Sequence, residues 1–311
     1  MKEWERQFNR QGFLLLPGFY AAAEMDRIAQ EITDCKRARP GNVVVDLLDN
    51  GERTVLGLLS EEEIFRRRMK INDLYLTMPS VRELALSSRL APILKRLLGH
   101  KPALCNSLYL EKGSAQAPHV DALYMTPRTD SHLIASWVAL EDSHPDAGPL
   151  EYFPGSHRIP QMRFSNGTYH AVPDEMPAWE RYMADQVRAA GLQKLQFSAR
   201  KGDVFIWHSN LLHGGGAINN LELTRKSLVF HYYSLKDAKA IGWERVALNG
   251  TYWMNRAPQP VPDVVQRRLT FDETAYLRLY PDVAEAVQAG QFPSGKAHFE
   301  LYGAAEGRSP G

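Results

Sequence analysis

From Pro102 to Tyr233 the chain is cut into short, strand-length apolar runs, each closed by turn chemistry. The spacing predicts strands near Leu104–Leu110, His119–Leu123, Leu133–Leu140, Leu150–Phe153, Leu195–Ser198, Val204–His208 and Ser227–Tyr233. Between them stand Lys112-Gly113, Asp146-Ala-Gly148-Pro149, Pro154-Gly155-Ser156 and Lys201-Gly202-Asp203. Glycine there supplies positive φ, proline fixes φ, and Asp or Ser bonds back to its own backbone. Runs this short cannot bury an apolar face alone. They must stack as a sandwich or close as a barrel, with helices packed outside. The expected class is therefore mainly β with flanking helices.

The flanks read differently. Gly12-Phe-Leu-Leu-Leu-Pro-Gly18 predicts one short buried strand, and Ala21 to Ala38 a helix with Met25, Ile28, Ala29 and Ile32 on one face. Residues 61–100 read as mostly helical, with Leu84, Leu86, Leu90, Ile93, Leu97 and Leu98 apolar and Gly99 as the stop. The polar excursion 158–194, with a helical patch over Trp179 to Ala190, is a candidate lid. Pro258, Pro260 and Pro262 mark a linker. The expected organisation is one domain over 1–256, in which residues 1–101 are largely helical and residues 102–235 form a β core. A linker 257–269 and a small helical module 270–311 follow. In that module Pro281-Asp282 opens a helix that runs to Gly290, and Ser294 caps another carrying Phe299 and Tyr302 toward Gly303.

With 311 residues, 44% of them apolar and 23% charged, the chain can bury a sizeable core without staples. A net charge of +1 argues against bulk nucleic-acid binding. Cys35 and Cys105 have neither zinc nor disulfide-framework spacing, which fits a reducing compartment. The charged start and the short run Gly12 to Leu16 do not read as a signal peptide, and no stretch reaches the ~20 apolar residues of a membrane helix. The expected location is cytoplasmic.

Within the β region lies one constellation: His119-Val120-Asp121, then His213, then Arg225. On a strand His119 and Asp121 share a face, ~6.6 Å apart along the backbone. Two imidazoles and one carboxylate can occupy one face of a six-coordinate Fe(II) and leave the opposite face for a 2-oxoacid and O2. His213 ends a buried run from Gly202 that breaks into Gly214-Gly-Gly216, where backbone and ligand can approach closely. Arg225 opens a strand whose alternation puts Arg225, Ser227, Val229, His231 and Tyr233 on one face. A guanidinium gives a carboxylate two parallel charge-assisted hydrogen bonds, Ser227 can add a third, and a buried arginine needs such an anion. The far carboxylate of 2-oxoglutarate fits that requirement. His231 reads as a core histidine, His208 as core or as a support of the site, and His157 as a turn residue.

These residues resemble the phytanoyl-CoA dioxygenase family. The resemblance covers roughly Gln7 to Ser234. It includes Asn9-Arg-Gln-Gly-Phe-Leu-Leu-Leu-Pro-Gly-Phe19, Trp137-Val-Ala-Leu-Glu-Asp142, Gly148-Pro-Leu-Glu-Tyr-Phe-Pro-Gly-Ser-His157, Gly202-Asp-Val-Phe-Ile-Trp207 and His213-Gly-Gly-Gly-Ala-Ile-Asn219. It implies a double-stranded β-helix, the cupin-like jelly-roll, with Fe(II) held by His119, Asp121 and His213 and 2-oxoglutarate anchored by Arg225. It implies further that Asn106 and Trp137 lie beside the cosubstrate. The chain departs from many members at Val120, where they have glutamine, and at Gly215, where they have serine; neither change removes a ligand. Retention of Asp121 argues against halogenation, because related halogenases lack this carboxylate.

The reading that follows is an Fe(II)- and 2-oxoglutarate-dependent dioxygenase that hydroxylates an unactivated C–H bond of a small molecule and releases succinate and CO2. Tyr124 and Arg128 follow the first ligands and are the candidate substrate contacts. Arg128, Arg158 and Arg163 could meet an anionic group. The alternatives are a metal-binding cupin-type isomerase or a non-catalytic binding module, neither of which needs Arg225 and Ser227. The tail, from Tyr276-Leu-Arg-Leu-Tyr-Pro-Asp-Val-Ala284 to Arg308, is similar to a small module appended to varied bacterial proteins, glycosyltransferases among them. It suggests a bacterial source, a link to glycan metabolism, and a surface for oligomers or a protein partner.

Overall fold

The computed structural model describes residues 2–311. The strands, in chain order, are β1 (Phe13–Leu16), β2 (Val44–Leu47), β3 (Arg53–Val55), β4 (Met69–Asn72), β5 (Pro102–Leu110), β6 (Leu133–Ala139) and β7 (Leu150–Tyr152). They continue as β8 (Leu195–Phe197), β9 (Val204–His208), β10 (His213–Gly215), β11 (Ser227–Ser234), β12 (Glu244–Leu248) and β13 (Thr251–Asn255). The chain divides into two compact units, one made of the residues up to Asp34 with Arg68–Ala257, the other of Cys35–Arg67 with Pro258–Gly311.

The first unit is the jelly-roll. Its larger sheet runs β1-β9-β6-β11-β5-β4, antiparallel throughout. Its smaller sheet runs β10-β7-β8. β6 and β11 are buried along their whole length, so apolar residues stand on both of their faces and their polar residues, Ser136, Ser227, His231 and Ser234, are buried as well. The excursion after β7 carries the helix Met176–Ala189, which presses Trp179 and Met183 onto Val120, Leu123 and Leu212.

Three expectations need correction here. His119–Leu123 is not a strand. His119 makes a single bridge to His213, and Asp121–Leu123 then curls into a 3-10 turn. The Asp121 carbonyl accepts the Tyr124 and Met125 N–H groups, so the backbone turns inward instead of extending a ladder. The buried run ending at His213 is not one strand either. β9 stops at His208, residues 209–212 cross between the sheets, and His213 opens β10 in the other sheet. Residues 61–100 do contain the helices Glu61–Arg66, Leu74–Thr77, Pro79–Ala85 and Ala91–Leu98, but Met69–Asn72 is a strand paired with β5.

The hairpin β12–β13 went unanticipated, although its signal is in the sequence. Asn249 and Gly250 both take positive φ, 48° and 75°. That is the two-residue turn for which Asn-Gly is the preferred pair. β13 then lies parallel to β5, Tyr252 beside Ala103.

The second unit pairs β2 with β3 in a hairpin, Val44 opposite Val55. The segment expected to be a linker carries a helix, Asp263–Leu269. Beyond it lie the helices Glu273–Leu279, Pro281–Gln288 and Gly295–His298. Ser294 caps the last of these, accepting the Ala297 N–H at 3.0 Å as the sequence predicts. Tyr276, Val283 and Phe299 form a buried core there, and the Tyr276 hydroxyl meets His298 Nδ1 at 3.0 Å.

Candidate active site

The register of the larger sheet arranges its inner side chains in rows. Trp207, Ala135, His231 and Asn106 stand side by side on β9, β6, β11 and β5. Two residues along, Phe205, Trp137, Val229 and Leu108 make the next row. Ala139, Ser227 and Leu110 make a third. Residues directly opposite on neighbouring strands face the same way, so all three rows point at the smaller sheet.

Against the first row lies the bridge between His119 and His213. Each residue's N–H donates to the other's carbonyl, at 2.8 and 3.0 Å. This pins the two imidazoles 4.4 Å apart, centroid to centroid. Asp121 completes the set. Its Oδ1 lies 3.9 Å from His119 Nε2 and 3.6 Å from His213 Nε2. One ligand atom from each of the three falls within 4.8 Å of the others, with Asp121 and His213 buried and His119 nearly so. The set is able to hold a metal ion.

The ring tautomers favour it. His119 Nδ1 lies 2.9 Å from the Ala117 carbonyl, and His213 Nδ1 2.9 Å from the Leu211 carbonyl. A carbonyl only accepts, so each Nδ1 carries the proton and each Nε2 offers a lone pair inward. Burial, and then the neighbouring His213, push the His119 pKa down to about 4, which keeps its ring neutral at ordinary pH. Burial alone would raise the Asp121 carboxyl, but His213, His231 and His119 around it hold it below the usual carboxylate range. Two histidines that turn Nε2 inward and one Asp121 oxygen make up the kind of donor set a divalent cation requires.

Asp121 Oδ2 is turned the other way. The Trp207 indole N–H donates to it at 2.7 Å, and His231 Nε2 lies 3.5 Å from it. Both side chains come from the first row, on either side of Ala135, whose small size leaves room for the carboxylate between them. By sequence alone His231 reads as a core residue and Trp207 carries no expected role at the site. For His231 the signal was present, since it shares a strand face with Arg225 and Ser227.

Arg225 is buried at the third row and precedes β11. Its Nη1 donates to the Gly148 carbonyl at 2.8 Å, and its guanidinium lies 5.8 Å from the Trp137 ring centre. Burial pushes its pKa down to about 10. Arg225 Nε, Ser227 Oγ and Trp137 Nε1 are buried and find no hydrogen-bond partner among the described residues. Three orphaned donors beside an unneutralised buried cation fit a carboxylate.

The remaining predicted residues separate. The resemblance places Asn106 at the cosubstrate; in the structure its amide nitrogen faces Asp73 at 3.0 Å and its oxygen faces His231 at 2.9 Å. Tyr124 is exposed, its ring 5.8 Å from that of His119. Arg128 is exposed. Arg158 and Arg163 bind the backbone carbonyls of Arg10 and Gly167. The departure at Gly215 has a steric reason. The Gly215 N–H donates to the Gln116 carbonyl at 2.9 Å, and a Cβ at 215 would lie 2.7 Å from the Ala115 nitrogen and collide with Ser114 Oγ.

Residues 8–227 match the profile of the phytanoyl-CoA dioxygenase (PhyH) family. Among curated relatives, the phytanoyl-CoA dioxygenase domain-containing protein 1 homolog of Caenorhabditis elegans is 23% identical over 174 residues. That match spans 52% of this chain and 57% of the relative. The fold is shared with EctD from S. alaskensis, solved with 2-oxoglutarate and 5-hydroxyectoine (TM-score 0.54, 18% identity, 84% of this chain and 86% of that one). It is shared as well with the non-heme alpha ketoglutarate dependent carbocyclase SnoK from nogalamycin biosynthesis (TM-score 0.55, 22% identity, 75% and 84%). Iron and 2-oxoglutarate thus accompany this fold in its solved neighbours, EctD having been solved with bound Fe as well, and side chains suited to both are present here.

Proposed function

The chain belongs to the phytanoyl-CoA dioxygenase family, and from that membership we propose that it is an Fe(II)- and 2-oxoglutarate-dependent dioxygenase that hydroxylates an unactivated C–H bond of a small molecule, with release of succinate and CO2. One observation carries the reading. The His119, Asp121 and His213 set is built against the first row of the larger sheet, and on the same side of that sheet Arg225 Nε, Ser227 Oγ and Trp137 Nε1 are buried without hydrogen-bond partners among the described residues. A metal-binding isomerase or a silent binding module would bear the desolvation cost of Arg225 for nothing.

In this reading His119 and His213, through Nε2, and Asp121, through Oδ1, would hold the ion. When bound, Fe(II) would activate O2 at the expense of the 2-oxoacid, the chemistry the metal brings to such a site. The protein's role is to hold and orient. Trp207 ties back Asp121 Oδ2, which leaves Oδ1 toward the two imidazoles. Arg225 and Ser227, with the Trp137 N–H, hold the far carboxylate of 2-oxoglutarate and so set the direction of its 2-oxoacid end. Trp179 and Met183 of the excursion pack against Val120 and Leu212, the residues adjoining His119 and His213. Tyr124, beside His119, and the exposed Arg128 are the proposed substrate contacts. No helix among the described residues is long and apolar enough to cross a membrane. Cys35 and Cys105 are both free thiols, in keeping with the proposed cytoplasmic location.

The test is direct. Anaerobic addition of Fe(II) and 2-oxoglutarate should give a visible charge-transfer band, and admission of O2 should release succinate slowly even without substrate. Absence of both would overturn the reading. A screen of small molecules for stimulated succinate release, with product mass shifted by one oxygen, then tests hydroxylation against desaturation or ring closure.

A further inference from the structure

Behind Asp121 a chain of polar side chains leads away from the site. His231 Nε2 lies 3.5 Å from Asp121 Oδ2, and His231 Nδ1 lies 2.9 Å from Asn106 Oδ1. Asn106 Nδ2 donates to Asp73 Oδ1 at 3.0 Å, and Arg256 Nη2 donates to Asp73 Oδ2 at 2.7 Å. The order is fixed by chemistry. A carboxylate only accepts, so the Asn106 amide must turn its nitrogen to Asp73 and its oxygen to His231. Its oxygen in turn takes the proton on His231 Nδ1, which locks the ring with Nε2 toward Asp121 Oδ2, where the imidazolium form pairs with the carboxylate.

Two features show that this arrangement is held against cost. Asp73 is a non-glycine residue in the left-handed region, at φ 58° and ψ 35°. Such backbone persists where the surroundings over-determine it, and it gathers near functional sites. The Asp73–Arg256 pair is also nearly out of solvent, its side chains 3% and 10% exposed. A buried pair of this kind is weak evidence for stability, since apolar residues of equal volume do as well or better. Orientation of a group at its far end gives it a use. Arg256 follows β13 and lies over the Trp243 ring at 5.1 Å, so the late hairpin delivers the last link. Both His231 and Arg256 lie beyond residue 227, where the family match ends.

We propose that His231 is a positioning residue for the metal's carboxylate ligand, and that Asn106, Asp73 and Arg256 act through it to keep Asp121 Oδ1 aimed at the ion. The proposal rests on the reading of His119, Asp121 and His213 as the iron site, and it extends that site to a hairpin outside the matched region. Such supports around a ligand are typically worth about 10–100-fold in metal affinity.

The experiment is a Co(II) titration of the metal-free full chain, read by calorimetry and by the visible Co(II) bands, with a melting curve of each metal-free variant. Wild type should bind one ion. If it binds none, the iron-site reading fails and the relay falls with it. With wild type binding, H231F should bind Co(II) at least tenfold more weakly with altered bands. H231Q, which keeps a donor toward Asp121, should recover most of the loss. R256M, which keeps the aliphatic stem over Trp243, should weaken binding severalfold, and H231F/R256M should bind no worse than H231F. That non-additivity is what a chain acting through His231 requires. Wild-type affinity in H231F, or a loss in R256M that adds in full to that of H231F, would overturn the proposal while leaving the iron site intact. Should H231F fail to melt cooperatively, R256M decides alone: unchanged Co(II) affinity and bands overturn the relay.

Discussion

The indole nitrogen of Trp207 and the carboxylate of Asp121 meet at 2.7 Å, a contact across 86 residues of chain that leaves Asp121 with one oxygen engaged and one facing two imidazoles. Trp207→Phe keeps the aromatic volume and deletes only the donor. A hydrogen bond to a charged group contributes about 1.5–3 kcal/mol. Fe(II) or Co(II) affinity should fall about tenfold or more, measured by titration, with cooperative melting retained.

Arg225→Leu removes the buried cation and leaves the metal ligands in place. The apparent 2-oxoglutarate requirement should rise by one to two powers of ten, from about 1.5–3 kcal/mol for a charged hydrogen-bonding group. Metal affinity in the absence of 2-oxoglutarate should not move. Ser227→Ala should raise the same requirement less, because it removes one neutral donor worth about 1 kcal/mol. Succinate release against 2-oxoglutarate concentration checks both; an unmoved requirement in Arg225→Leu would mean that another cation holds the cosubstrate.

Ala135 is fully buried between Trp207 and His231, and its small side chain leaves the gap into which the Asp121 carboxylate fits. Ala135→Leu should overpack that gap at a cost of about 1–3 kcal/mol and displace the carboxylate. Both melting temperature and metal affinity should drop. Ala135→Gly opens the gap without blocking it and should cost about 0.5–1 kcal/mol in stability with metal affinity kept. The pair of variants separates a packing defect from a misplaced ligand.

His208 and His157 make a second imidazole pair, centroids 5.4 Å apart, away from the metal set. Burial, and then His157, push the His208 pKa down to about 4, and burial lowers that of His157 as well. Both folded values lie below the unfolded value of about 6.5, so the unfolded chain binds more protons between them. The stability these rings contribute is complete above pH 6.5 and is lost as pH falls from 6.5 toward 4. Urea unfolding of the metal-free protein should show this slope. His208→Asn, whose amide oxygen can still accept the Asn210 N–H now taken by the ring at 3.1 Å, should flatten it.

Short runs closed by turn residues made the β core legible in the sequence, and His119-Val-Asp121 with His213 made the three-residue cluster legible. What escaped was set by tertiary geometry. The His119–Leu123 segment has strand composition, but a carbonyl that accepts two N–H groups curls it after one bridge residue. The run ending at His213 reads as one buried strand because residues 209–212 stay buried while crossing between sheets, and periodicity cannot separate a crossing from a strand. The roles of Trp207 and His231 depend on inter-strand register, which one strand's pattern does not contain. The β12–β13 hairpin is different, since Asn249-Gly250 announced it plainly.

The family match stops at Ser227, which is also where β11 begins, and β11 is buried from end to end between β5 and β6. Recombinant fragments cut at that limit would therefore amputate the sheet's middle plank. Any such excised piece should emerge insoluble or molten, and its inactivity would say nothing about the full chain; ending the fragment after Ala257 instead keeps the plank and its brace together.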